Sequence, residues 1–224
     1  MTTSGKKPLP PCKYAFPATS PRSFVALANA ITSTGIGAYL GGAAPLSDNA
    51  LLLTAASSIL TVEARHDSYL RTGLGGSPFP TSFDTSLEAV FAYNLAQEFI
   101  VSCPPESRLP LPIFPKLMLE SPPPIPPNPT LKVVAPGTPL KFKFNENEVK
   151  GKAGGKQLYI ALVNEITNVQ YLKAESTGSG EVTVKVPEGA AGAAFAVLTT
   201  EEGVSEGQLA SQGTLAGPAA VILS

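Results

Sequence analysis

From Ser20 to Phe99, apolar residues recur at helical spacing; beyond Pro129 the repeat shortens to two. Ser20-Pro21 has the form of a helix start, with serine as cap and proline in the first turn. Phe24, Leu27, Ala28, Ile31 and Gly35 follow on one face, which predicts helix A to about Leu40. Gly35 and Gly37 lie inside it at a cost of about 1 kcal/mol each against alanine, which predicts a close helix contact there. Gly41-Gly42 ends the helix and Pro45 bars its continuation. Helix B is expected from Ser47-Asp48 to about Arg71, apolar nearly all round in its first half, as a central buried helix would be. Its stripe Ala56, Ile59, Glu63, His66 and Leu70 is expected to point inward. Helix C is expected from Asp84-Thr85, with Thr85 and Glu88 at capping-box spacing and Leu87, Phe91, Leu95 and Phe99 as its buried face.

The segment 105–130 is proline-dense and reads as a linker or strap, with polyproline II at Pro122-Pro123-Pro124 and Pro126-Pro127. Ile113, Phe114, Leu117 and Met118 suggest that part of it packs down. After it come short alternating or apolar runs at 131–133, 140–144, 158–163, 181–186, 193–199 and 219–223, separated by Gly-, Asn- and Pro-rich turns. Such a series reads as an antiparallel β-sandwich. The expected architecture is therefore α+β: a three-helix partial bundle over 1–104, the strap over 105–130, and the sandwich over 131–224.

Charge changes this picture little. With 16 Lys+Arg against 17 Asp+Glu, nothing favours nucleic acid or an anionic membrane. Charged residues are only 15% of the chain, low for a protein that stays unfolded. The N-terminus has Lys6-Lys7 but no apolar segment directly behind it, so no secretory signal is read there. The nearly charge-free stretch from Phe24 to Val62 is broken by Gly41-Gly42 and Pro45, and no membrane span is expected. Cys12 and Cys103 flank the helical region and read either as two reduced thiols or as one clasp.

The chemistry turns on the single histidine. Glu63 and His66 are three apart, so on a helix they share a face. Glu-x-x-His is the unit that di-iron carboxylate bundles place on two of four helices, each completed by glutamates from the other two. Helix A has no acidic residue or histidine between Ser23 and Leu46, so one chain cannot supply a full set. A mononuclear site of Glu63, His66 and Asp67 is conceivable geometrically; the alternative is a buried hydrogen-bonded pair held by Arg65 or Arg71. Catalytic signatures are lacking: there is no Gly-x-Ser-x-Gly elbow, no phosphate-binding glycine loop, and no partner to activate Cys103. Asn145-Glu146-Asn147-Glu148 departs from calcium-loop spacing and reads as a solvated hairpin tip.

Cys12–Pro17, Gly35–Gly41, Leu53–His66 and Phe99–Pro104 occur in an order that resembles the ferritin-like domain of fungal stress-response and desiccation-related proteins of the Rds1 type. The resemblance covers roughly 12–119 and implies a ferritin-like fold for helices A to C. Of the metal ligands it implies, Glu63 and His66 have counterparts here, and Thr32 stands where an acidic residue is expected. That family's domain ordinarily opens with two further helices, and this chain starts after them; its members are often secreted. Three functional readings result. The first is a non-catalytic, metal-deficient, stress-associated or structural protein that self-associates through helices A and B, with no cofactor. The second is an iron or manganese protein assembled as a dimer through Glu63 and His66. The third is a ligand-binding or adhesion module using the β-sandwich.

Overall fold

The computed structural model describes residues 8–121, 134–166, 168–178 and 180–223. Helix α1 spans Pro21–Gly41. The Ser20 hydroxyl caps it by accepting from the Ser23 amide, and the Ser23 hydroxyl accepts in turn from the Ser20 amide at 2.9 Å. Helix α2 spans Ala50–Leu74 and starts three residues later than expected, because a short 3-10 turn at Ala44–Leu46 precedes it and Asn49 takes the cap. Gly75 ends it in the left-handed conformation.

Helix α3, Ala89–Gln97, is shorter than the period suggests. Residues 85–88 are not helical, and Thr85 is not its cap. The Thr85 hydroxyl donates to the Ala193 carbonyl at 2.5 Å and accepts from the Glu165 amide at 2.9 Å. The Leu87 amide donates to the Gly37 carbonyl at 3.0 Å. This strap-like approach is why α1 carries glycine: a Cβ at Gly37 would meet Leu87, and one at Gly41 would collide with the Leu87 carbonyl. Gly35 faces open space, so the contact involves Gly37 and Gly41 rather than Gly35.

Strands β1 (Lys13–Tyr14) and β2 (Ile100–Ser102) pair beside the Cys12–Cys103 disulfide, which closes a 91-residue span with its Cα atoms 4.3 Å apart. The remaining strands are β3 (Leu117–Ser121), β4 (Pro139–Phe144), β5 (Tyr159–Asn164), β6 (Asn168–Lys173), β7 (Glu175–Gly178), β8 (Glu181–Lys185), β9 (Ala193–Thr199) and β10 (Thr214–Ile222). They form two antiparallel sheets, ordered β10-β9-β5-β6 and β3-β4-β8-β7. β3 lies inside the proline-dense segment 105–130 and pairs with β4. The expected strand at 131–133 and the polyproline stretch at 122–127 fall outside the described residues.

The α+β architecture is thus present, with the sandwich facing the helices. Alternation explains the layering. On β5, Ile160 and Leu162 turn to the opposite sheet, while Ala161 and Val163 turn outward to Leu87, Phe91 and Leu95 of the α3 region. The sheet β10-β9-β5-β6 is therefore buried on both faces, which is why β5 and β9 read as continuous apolar runs. The strap is pinned by Asn94, which donates to the Pro112 carbonyl and accepts from the Phe114 amide. Phe114 and Leu117 pack inward; Ile113 and Met118 remain exposed.

Residues 145–148 form no hairpin tip. They open helix α4, Glu146–Ala153, capped by Asn145, with acids in the first turn, lysines in the last, and Val149 and Ala153 buried.

Candidate functional site

Glu63 and His66 sit on α2, with His66 Nδ1 3.7 Å from Glu63 Oε2. They do not point inward: the His66 side chain is 60% exposed and that of Glu63 30%. Asp67 faces α1 instead, on a half-buried to buried stripe of Leu53, Ala56, Leu60, Ala64, Asp67 and Arg71 that is rotated by about 80° from the expected one at 100° per residue. The exposed side of the same helix carries Leu51, Val62 and Tyr69, and His66 lies beside them. Neither Arg65 nor Arg71 holds the pair. Among the described residues no group of three or more His, Cys, Asp or Glu side chains is placed to hold a metal ion.

The polar centre lies one turn further round. Asp67 faces α1, where Asn29 Nδ2 donates to its Oδ1 at 2.7 Å and Ser33 Oγ at 2.8 Å. Burial raises the Asp67 pKa above the ordinary carboxylate value, opposed by the Ser33 hydrogen bond and the nearby Arg71. Arg71 is 3% exposed. Its Nε donates to the Ser77 carbonyl at 2.8 Å and one terminal nitrogen, Nη2, to the Leu223 carbonyl at 2.6 Å. Burial lowers its pKa, opposed by Asp67 and Asp84. The guanidinium thereby ties the last turn of α2 to the end of β10. A cleft of about 290 Å³ opens over this centre between α1, α2, the 78–85 loop and the start of β9. Asn29 and Ser33 are polar residues one turn apart on a mainly apolar helix, a signal the sequence offers; the Arg71 contact to Leu223 spans 152 residues and leaves no local signal.

A second carboxylate contact lies at the start of α3. Glu206 Oε1 accepts from the Glu88 amide at 2.8 Å. Burial, reinforced by the Glu88 carboxylate, raises its pKa to about 7, against the opposing effect of that hydrogen bond.

Helix α1 is long and apolar enough, by length and composition alone, to cross a membrane, which the broken run in the sequence did not suggest. Here it packs on α2 and on the segment leading into α3.

Residues 1–76 match the sequence pattern of the ferritin-like domain family. The chain is 34% identical to Protein rds1 of Schizosaccharomyces pombe (strain 972) over 116 residues, half of this chain. The chain spans 28% of that relative's length. Residues 1–76 are thus similar to ferritin-like domains and half of the chain is similar to an Rds1 protein, in line with the motifs carried by α1 and α2.

Proposed function

We propose that this protein is a non-catalytic, stress-associated structural protein that self-associates through α1 and α2. One observation carries the reading: both helices keep an apolar stripe outside the fold. On α1, Phe24 is 61% and Ile31 36% exposed and they lie seven residues apart. On α2, Leu51 is 65%, Val62 39% and Tyr69 82% exposed, along one line of the helix. Only Arg71 and Leu74 of the 25 residues in α2 are buried. A two-helix layer with this much apolar surface in water is poorly satisfied alone, and a second copy presents the same stripes in a two-fold arrangement. Sedimentation velocity across a concentration series tests this. Association that is lost in a Val62→Asp, Tyr69→Asp double variant supports it; a monomer throughout rejects it.

The alternative is a metal protein completed by the same association. It is favoured by the position of His66 beside Val62 and Tyr69, which would bring two Glu63/His66 pairs toward one interface. Iron or manganese would find two ligands per chain there, Glu63 and His66, and four in a dimer. Elemental analysis after loading decides it: stoichiometric metal lost in His66→Ala supports this alternative, and trace metal removes it.

A further inference from the structure

The cleft over Asp67 and Arg71 is built from both signs of charge. Arg65, Asp67 and Arg71 of α2 line it together with Asp84 of the 78–85 loop, two of each sign. A free anion such as phosphate meets two carboxylates, and a free cation meets two guanidinium groups, so neither is well matched. At the floor, Arg71 is nearly fully buried, yet its Nη1 has no hydrogen-bond partner among the described residues. A buried donor left unpaired is costly, and a small shift of the Arg71 side chain toward the cleft would let a ligand oxygen accept from it and recover that cost. Asp67 takes both its hydrogen bonds on Oδ1 while its side chain lines the cleft, where it can accept from a ligand hydrogen. The floor thus asks for one group that accepts and an adjacent one that donates. The rim is apolar: Phe79 is 79% exposed and stands between Pro78 and Pro80.

We propose that this cleft binds a small, uncharged polyhydroxylated ligand, a single sugar ring, through Arg71 and Asp67, with Phe79 stacked on its C–H face. Neighbouring hydroxyls of a sugar both donate and accept, and so satisfy a guanidinium and a carboxylate together. The cleft lies at the small end of ligand cavities, which fits one ring and not a longer chain. The site is separate from the exposed stripes of α1 and α2 and does not depend on self-association.

The test is saturation-transfer NMR on the full chain with a panel of hexoses and inositol, and with alanine and inorganic phosphate as controls. Removing Arg71 threatens the fold, so the variants are Phe79→Ala and Asp84→Asn, both at exposed positions. Transfer to at least one polyol, with Phe79→Ala weakening binding about threefold to tenfold, is the expected result. No transfer to any polyol overturns the proposal. So does binding unchanged in both variants, or displacement of the sugar by alanine or phosphate at equal concentration.

Discussion

Replacing Arg71 by methionine removes a buried cation while keeping much of its packing volume. The substitution breaks the bond to the Leu223 carbonyl at 2.6 Å and the bond to the Ser77 carbonyl at 2.8 Å. Hydrogen bonds to charged groups contribute about 1.5–3 kcal/mol each, and both carbonyl oxygens would be left without these donors. Against this, methionine avoids the desolvation of the guanidinium, which offsets part of the loss. Asp67 also loses its nearest cation and is pushed further toward protonation. The net expectation is a loss of about 2–4 kcal/mol, within the range for breaking a buried polar network. In a chain of this size that lowers the melting temperature by about 5–15 °C. Calorimetry and urea unfolding followed by far-UV circular dichroism measure it. Hydrogen exchange adds a location: protection should fall together in the last turn of α2 and at the end of β10. A loss below about 0.5 kcal/mol, or a stabilised variant, would refute the claim that Arg71 clamps the helical layer to the sandwich.

Gly41→Ala should be strongly destabilising, because its methyl group meets the Leu87 backbone, whereas Gly35→Ala should gain up to about 1 kcal/mol; equal effects in thermal unfolding would contradict the close approach. A Cys12→Ser, Cys103→Ser variant should lose about 2–5 kcal/mol through release of the 91-residue loop, checked by denaturant titration with and without reductant. The raised pKa of Glu206 makes its protonated form the one the fold prefers. Its contribution is therefore present below about pH 4.5 and is lost as pH rises through about 7. Glu206→Gln should flatten that part of the stability–pH curve, and an unchanged slope would exclude Glu206 as its source.

The elements that local rules govern were readable. Ser20-Pro21 marks the start of α1, and the apolar runs of β5 and β9 mark strands buried on two faces. Thr85-x-x-Glu88 has capping-box spacing, yet tertiary contacts claimed both ends: Thr85 serves Ala193 and Glu165, and the Glu88 amide serves Glu206. Asn145 caps α4 where its sequence suggests a turn, because Asn suits both. The orientation of α2 is not legible in the sequence for a different reason. Its first half is apolar nearly all round, so periodicity left its rotation undetermined. Asp67 and Arg71, held by Asn29, Ser33 and Leu223, set which side faces inward. That rotation carries His66 out of the interior and brings the cleft into being.

The most direct test of the account is the mass of the protein in solution. The chain weighs 23.1 kDa. Sedimentation equilibrium should give a concentration-dependent mass approaching twice that value, and the Val62→Asp, Tyr69→Asp variant should give the monomer mass with its circular dichroism unchanged. A monomer at every concentration would contradict self-association through α1 and α2, and so would an oligomer that the double variant leaves intact.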